Sequence, residues 1–371
     1  MRYKVSLFFS LILNFLLMSI PANAASPAAT LTVDGSLVGT YSSVQLAVDE
    51  VTLLPGTDFV IEVANGTVDE TVDIIQQADK NLTLKPQTDA KVIFTNTITI
   101  DGDQRLNGSE YALIQGFSFD MTSPSAPANC IYLNRILSPT YCYAHNIIIN
   151  GCDFEGIEGT TVALQTTTGG MRDISIVNST ATKMHSLAQL KAISGTAFIQ
   201  NCTIDLAHAG VNFYGDGDLV VDSCVFKVDE YAVRSGQGLL PPVAGPGMVS
   251  INNSILETTS ETVGSIVLRG DSTRTVNILH SIITNTSAGG IVLQDIAPVS
   301  ANEYKILLEE TDMNGAIEGI AASGIFNVDD PNVTNGPVCV NQTNTYQVVI
   351  IFLIVAMLLL AVVSLISYRR T

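Results

Sequence analysis

The chain has 371 residues, and its 35 acidic residues outnumber its 17 lysines and arginines, which gives a formal net charge of −18. Nucleic acids and anionic lipid surfaces attract proteins that carry basic patches. The charge balance therefore argues against nucleic acid as a partner and against docking of the main body on an anionic membrane surface.

The first 24 residues have the pattern of a signal peptide. Arg2 and Lys4 give a positive start, Val5 to Ile20 is mainly apolar, and Ala22-Asn23-Ala24 fits a cleavage site. We expect cleavage after Ala24, with an uncleaved anchor as the alternative.

The C-terminal part predicts a membrane anchor. Residues 348–367 form an uncharged apolar run of 20 residues. At about 1.5 Å per residue, such a helix spans ~30 Å of hydrocarbon. Tyr346 and Tyr368 flank the run, and Arg369 and Arg370 follow it, which by the positive-inside rule places the end of the chain in the cytoplasm. We therefore predict a single-pass type I cell-membrane protein with a transmembrane helix at residues 346–367 and a cytoplasmic tail at 368–371.

A short repeat predicts the fold of the extracellular part. The pattern is apolar-x-apolar, two polar or small residues, a small residue, any residue and an apolar residue, and it recurs every 22 to 35 residues. Alternation with a period of two is typical of a strand with one face buried. The eight instances are Ala112–Phe119, Ile147–Phe154, Ile174–Ala181, Ala197–Ile204, Leu219–Phe226, Val249–Leu256, Val276–Ile283 and Ile306–Met313.

Aligned repeats define four columns of inward residues at positions 1, 3, 6 and 8 of the pattern. The first, second and fourth columns are apolar, whereas the third is mostly small. We expect the third column to form a buried ladder of small side chains, in which Cys202 and Cys224 lie one coil apart and a disulfide between them is the alternative. The third column contains Phe117, Cys152, Ser179, Cys202, Cys224, Ser254, Ser281 and Thr311.

These columns predict an all-β fold, a right-handed single-stranded parallel β-helix at residues 25–326. Each coil has a second strand about ten residues after the first, and neighbouring coils bury one another's inward faces. Ser43 to Leu54 has apolar residues on one helical face and predicts a helix that caps the first coil. Residues 327–345 lose the periodicity and predict a polar stalk.

The segment from Asp34-Gly35-Ser36 through Thr40-Tyr41-Ser42-Ser43 to Asp49 resembles the opening of pectin-lyase-like β-helix proteins, and the later repeats resemble the generic repeat of that superfamily. The resemblance covers about Leu31 to Phe326. It implies the fold, while the activities found on that fold range from lyases, hydrolases and esterases to adhesins and tail spikes. The aspartate and histidine blocks of its hydrolases have no close match here.

A row of outward residues beside the second strands is the candidate ligand site. Planar amides, an aromatic ring and cations in line suit an extended, acidic glycan. The alternative is an ordinary solvated strand face. The row contains Asn134, Gln165, Lys191, Tyr214, Arg234, Arg269 and Gln294.

Two other groups carry candidate chemistry, with solvent-facing turn residues as the alternative for both. His208 beside Asp205 suits acid–base work, or a metal site with His185. We expect no resident metal or cofactor; calcium at Asp216 and Asp218 is the alternative. The shared turn position that includes both histidines contains Glu158, His185, His208 and Glu230.

Cysteines and glycosylation motifs add predictions for an exported chain. Cys130 and Cys142 bracket one insertion and are the disulfide candidate, while Cys339 either stays free or links two chains. The glycosylation candidates are Asn65, Asn81, Asn107, Asn178, Asn201, Asn252, Asn285, Asn332 and Asn341.

The anchor, the stalk and the missing catalytic blocks favour a non-catalytic surface protein, namely an adhesin, an envelope component or a glycan-binding module. The alternative is a membrane-tethered lyase or hydrolase that acts on uronic-acid-type polysaccharides. The expected partners are a surface glycan and, through the C-terminal helix, the membrane.

Overall fold

The computed structural model describes residues 26–102, 110–133, 144–166, 171–191, 193–214, 217–236, 247–269, 275–295, 305–320 and 325–327. The predicted signal peptide, transmembrane helix and cytoplasmic tail lie outside these residues, as does the stalk apart from Asn327. Within the described part, none of the helical structure has the length and apolar character needed to cross a membrane.

The chain folds as an all-β parallel solenoid in which three ladders of strands run along the stack. The first ladder is a 13-stranded sheet. Numbered in chain order, its strands are β1 (Ala29–Val33), β2 (Ser36–Tyr41), β3 (Asp58–Val63), β6 (Asn81–Pro86), β9 (Ala112–Gln115), β12 (His145–Asn150), β15 (Met171–Val177), β18 (Ile193–Gln200), β20 (Asp218–Asp222), β22 (Met248–Asn252), β25 (Thr275–Leu279), β28 (Lys305–Glu309) and β31 (Ile325–Asn327).

The second and third ladders merge where one long strand serves both, at β19 (Thr203–Tyr214) and β21 (Val225–Gly236). The second ladder also contains β4 (Gly66–Val68), β7 (Val92–Phe94), β10 (Ser118–Asp120), β13 (Asp153–Glu155), β16 (Thr180–Thr182), β23 (Ile255–Thr258), β26 (Ile282–Asn285) and β29 (Asp312–Asn314). The third contains β5 (Val72–Gln76), β8 (Ile98–Gly102), β11 (Asn129–Leu133), β14 (Val162–Thr166), β17 (Ser186–Lys191), β24 (Ile266–Arg269), β27 (Ile291–Asp295) and β30 (Ala316–Glu318).

The pairing registers confirm the predicted columns. Along the first ladder, Ile149 pairs with Ile176, which pairs with Ile199, and the same column continues through Val221 to Ile278. These five side chains are at most 1% exposed. The fourth column runs in register along the second ladder, from Phe119 at β10 to Met313 at β29. Like residues therefore stack over one another along the whole repeat.

Aromatic rings in this fourth column stack from coil to coil. The ring centroids of Phe94 and Phe119 are 5.3 Å apart, and those of Phe119 and Phe154 are 4.9 Å apart, with interplanar angles of 22° and 19°. Each aromatic pair contributes roughly 0.5–1.5 kcal/mol beyond the area that it buries. The stack thus reinforces the register between the coils at this end of the solenoid.

The third column is a hydrogen-bonded ladder as well as a buried one. Ser254 shows the pattern: its Oγ accepts the N–H of Cys224 at 3.1 Å and donates to the carbonyl of Asn252 at 2.7 Å. The next hydroxyl, of Ser281, accepts the N–H of Ser254 at 3.1 Å. The sulfur of Cys202 likewise lies 3.3 Å from the carbonyl of Gln200, two residues earlier. Beyond Phe117, which begins the column, this position therefore favours a small side chain that can form such hydrogen bonds.

Each third-column residue follows a turn residue with positive φ. At Gly116 and Gly151 glycine adopts this conformation without strain, while Asn178 and Asn201 adopt it with φ of 52° and 51°. Asparagine tolerates the left-handed region better than most other residues. The sharp turn between the first two ladders therefore recurs at the same place in successive coils.

The N-terminal end differs from the predicted repeats. Strands β1 and β2 form an antiparallel hairpin, and β1 pairs antiparallel with β3. The helix α1 (Val44–Leu53) begins after Ser43, whose Oγ accepts the N–H of Leu46 at 3.2 Å, and it buries Val44, Ala47, Val48 and Val51. Two coils precede the eight predicted repeats, one built from β3, β4 and β5 and one from β6, β7 and β8.

We expect Ser254→Ala to lower the free energy of unfolding by about 1–3 kcal/mol, because it leaves the buried N–H of Cys224 without a partner. Urea titration followed by circular dichroism measures the change.

Ser254→Cys is the matched control, since a thiol already occupies the equivalent position at Cys224. It should cost clearly less than alanine. An alanine variant as stable as the cysteine variant would show that the ladder does not contribute.

Candidate functional site

The outward face of the third ladder carries two columns of polar residues instead of one row. In the first column Gln165 pairs with Gln189, Gln189 with Asn212, and Asn212 with Arg234. This column continues through Val267 to Gln294. In the second column, two residues further along each strand, Lys191 pairs with Tyr214.

The predicted row was therefore wrong in its alignment. It combined Gln165, Arg234 and Gln294 from the first column with Lys191 and Tyr214 from the second. Arg269 also belongs to the second column, because it pairs with Gly236, and nothing is described of its side chain. Asn134 lies outside the described residues. Because two residues separate the columns, both point to the same face of the strands, and the predicted residues still lie side by side.

Gln189 and Asn212 were missed by the sequence analysis. Their inward neighbours Ala188 and Val211 pair with each other, and an alignment on these buried residues would have found them. The side-chain amides of Gln165 and Gln189 are half-buried and have no hydrogen-bond partner among the described residues. Amides with free donors and acceptors on adjacent strands are suited to binding hydroxyl groups.

An apolar cluster lies on the outer side of the same ladder, beside Arg234. Ala209, Tyr231 and Val267 are at most 3% exposed, and Val263 packs against them. Val263 belongs to the loop that connects β23 and β24. The loop therefore packs over this face beside Arg234.

Two polar side chains beside this cluster have buried atoms without a hydrogen-bond partner among the described residues. Arg234 lies over the ring of Tyr231, with its Cζ 5.4 Å from the ring centroid, and hydrogen-bonds to the phenol. Its Nε is buried and has no hydrogen-bond partner. Asn212 is 5% exposed, and its Oδ1 is also buried and without a partner. Burial raises the pKa of Tyr231 to about 12, so the phenol stays neutral at physiological pH.

Gln294 is a structural residue and not a free ligand-binding amide. It is 8% exposed, and its Oε1 accepts the N–H of Gly264 at 3.0 Å. Its Nε2 lies 3.4 Å from the carbonyl of Thr262 and 3.3 Å from Oε2 of Glu318. These bonds hold the loop that carries Val263, so Gln294 fixes the position of that loop.

The predicted histidine cluster forms, with different partners. The rings of His185 and His208 are 5.1 Å apart. Nδ1 of His208 lies 2.8 Å from Asp229, and its Nε2 lies 3.0 Å from Glu230. Burial, and then His208, lowers the pKa of His185. An imidazole between two carboxylates has the arrangement that general acid–base chemistry uses.

The predicted pairing of His208 with Asp205 was wrong, and a β-bulge explains why. Ala207 pairs with Val228 and Ala209 with Tyr231, so two residues of β21, Asp229 and Glu230, lie opposite the single residue His208. A shallow groove of about 220 Å³ lies beside this bulge. Its lining includes Glu158, Asp205, Lys227, Asp229 and Glu257.

No group of histidine, cysteine and acidic residues suitable for a metal ion occurs in the described part of the chain. The alternative was a calcium site at Asp216 and Asp218. Oδ1 of Asp218 accepts the N–H of Met248 at 2.7 Å, and Asp216 lies outside the described residues.

The cysteines of the described residues are free thiols. Cys202 and Cys224 are buried and unlinked, as the thiol-ladder prediction required. Cys130 is also buried and free, and burial raises its pKa well above the usual range. The Cys130–Cys142 disulfide therefore gains no support, although Cys142, like Cys339, lies outside the described residues.

The glycosylation candidates differ in accessibility. Asn65, Asn178 and Asn201 are exposed, and Asn81 and Asn252 are half-buried. Asn285 is 6% exposed and donates to the carbonyls of Ser260 and Ile291, so a glycan there does not suit the folded protein. Asn107, Asn332 and Asn341 lie outside the described residues.

Comparisons of the chain with family models, with curated proteins and with solved structures found no match. The fold and the geometry of the site are therefore the basis for a functional proposal.

We expect Gln294→Ala to release the loop between β23 and β24, because both backbone contacts of the side-chain amide are lost. Hydrogen exchange at the Gly264 amide should become faster by about tenfold, in line with the loss of one buried hydrogen bond.

Gln189→Ala is the control, since that amide has no partner and its removal should leave exchange at Gly264 unchanged. Equal exchange in the Gln294→Ala variant and the unmodified protein would contradict the structural role of Gln294.

Proposed function

We propose that the chain is a membrane-anchored cell-surface protein whose solenoid binds an extended glycan without cleaving it. One observation carries the proposal: Gln165, Gln189, Asn212 and Arg234 follow one another in register on the outer face of consecutive coils. The strand spacing places successive side chains about 4.8 Å apart. Such a row suits a polymer that lies along the axis of the solenoid.

The chemistry of the second column agrees with a sugar ligand. Tyr214 offers an aromatic ring for stacking against a sugar ring, and the neighbouring Lys191 offers a cation. Both side chains are half-buried, which lowers the entropy that they lose on binding. The neighbouring amides can hydrogen-bond to hydroxyl groups, and the cation can bind an acidic group of the same ligand.

The membrane anchor belongs to the same proposal. The apolar run before Arg369 and the signal-like start of the chain support an extracellular solenoid on a short stalk, with glycans at exposed sites such as Asn178 and Asn201. We also propose that the coil is right-handed, as in the pectin-lyase-like proteins, and that α1 covers the end of the solenoid against edge-to-edge association.

The full-length chain, purified in mild detergent, should bind a subset of oligosaccharides on a glycan array. Replacing both Gln165 and Gln189 by alanine should weaken the binding by roughly 3- to 10-fold per amide, the effect of losing one net hydrogen bond each.

A control replaces Gln115 and Gln200, amides of similar exposure on the outer face of the first ladder. Binding should survive this control. Equal losses in the two double variants, or no binding to any glycan, would reject the proposed site.

The histidine cluster supports a second candidate function, a polysaccharide lyase or hydrolase. Here the specific observation is His208 between Asp229 and Glu230, next to a groove lined by Asp205 and Glu257. An acid–base pair and further carboxylates beside a groove are groups that such chemistry uses.

Turnover distinguishes the two functions. If the second candidate is right, the chain should release reducing ends or unsaturated products from uronic-acid polymers, and His208→Gln should lower kcat at least 100-fold. Our first proposal instead predicts glycan binding without any product from the unmodified protein or the variant.

A further inference from the structure

Arg234 carries a positive charge that forms no ion pair with a carboxylate among the described residues. Within the described part of the chain it contacts the ring and the phenol of Tyr231, and its Nε is buried without a partner there. Glu230, close to Tyr231 in sequence, pairs with Nε2 of His208 instead. In a chain with a net charge of −18, an unpaired and half-buried guanidinium is unexpected, because burying a charge without a partner is costly.

Asn212, which pairs with Arg234 on the neighbouring strand, also has a buried polar atom without a partner. Its side chain is more than nine-tenths buried, yet its Oδ1 has no hydrogen-bond donor. Seven buried side-chain atoms lack a partner among the described residues, and only those of Asn212 and Arg234 belong to directly paired positions on neighbouring strands. A free acceptor and a free charged donor therefore lie side by side.

The guanidinium of Arg234 and the amide oxygen of Asn212 indicate which chemical groups of a ligand would bind to them. The Nε–H of a guanidinium, together with an adjacent N–H, matches the two oxygens of a carboxylate. The free Oδ1 of Asn212 requires a donor, which a sugar hydroxyl next to that carboxylate supplies. Tyr231 and Val267 form the buried apolar cluster that supports the guanidinium from within the protein.

We propose that Arg234 and Asn212 form a subsite for a sugar carboxylate, with an adjacent hydroxyl donating to Asn212. This inference rests on the proposed glycan-binding function and names the ligand class at one end of the row. The amides of Gln165 and Gln189 then contact neutral parts of the same polymer. The loop that Gln294 holds in place packs beside this subsite through Val263.

The test compares matched ligands on the full-length chain. The probes are uronic-acid oligosaccharides, the same oligosaccharides after reduction of their carboxyl groups, and sulfated neutral oligosaccharides of equal length. We expect the carboxylated form to bind roughly 10- to 100-fold more tightly than the reduced form, as for a charged hydrogen-bonded pair.

Two variants locate that preference. Arg234→Gln removes the charge, and Asn212→Asp places a carboxylate of the protein beside Arg234 with almost no change in shape. Both should abolish the preference for the carboxylated probe, so that the carboxylated and reduced probes bind each variant with affinities within about twofold of each other. Thermal unfolding of each variant, close to that of the unmodified protein, shows that the fold is intact.

The outcomes separate this inference from the proposed function. Equal binding of carboxylated and reduced probes, or an equal preference for the sulfated probe, overturns the carboxylate subsite and leaves glycan binding in place. A preference that survives in both variants places the acid elsewhere and also overturns it. Binding of none of the probes, with none on the glycan array, rejects glycan binding and the subsite together.

Discussion

The structure depends on the in-register stacking of like residues from coil to coil. A single coil has an apolar inward face that it cannot bury by itself, and only the coils above and below can cover it. Ile149, Ile176 and Ile199 lie over one another for this reason, and the stacked rings of Phe119 and Phe154 fix the same register on the second ladder. A shift by one residue would turn these side chains toward solvent.

The register of the buried residues also determines which outward residues lie next to one another on neighbouring coils. Because Ala188 and Val211 pair inside the solenoid, the next residues, Gln189 and Asn212, pair on the outside, and no separate interaction is needed to align them. A bulge changes this order where it occurs: opposite His208, β21 contains one extra residue, which brings Asp229 and Glu230 to the same imidazole. The candidate site thus combines a regular row with one local irregularity.

The repeat was predictable from the sequence because its period of two and its recurring small residue both follow from packing. The third column illustrates this, since serine, cysteine and threonine share a small size and the capacity to bond to a nearby carbonyl. The site was only partly predictable. The predicted row took the outward residue beside the apolar pair of each second strand, but a strand such as β17 has two outward residues, Gln189 and Lys191, and only the pairing register distinguishes them. The role of Gln294 also required knowledge of the loop that it holds.

The buried polar groups of this protein fall into two classes: those whose hydrogen bonds are formed within the protein, and those that have atoms without a partner. In the third column, Ser254 and Ser281 both donate and accept, so these buried groups stabilise the fold and have no capacity left for a ligand. Gln294 is buried on the outer face and is satisfied in the same way. Asn212 and Arg234 differ, because the Oδ1 of Asn212 and the Nε of Arg234 are buried and neither has a partner among the described residues. Since such groups cost stability, their occurrence side by side favours a binding role over a structural one.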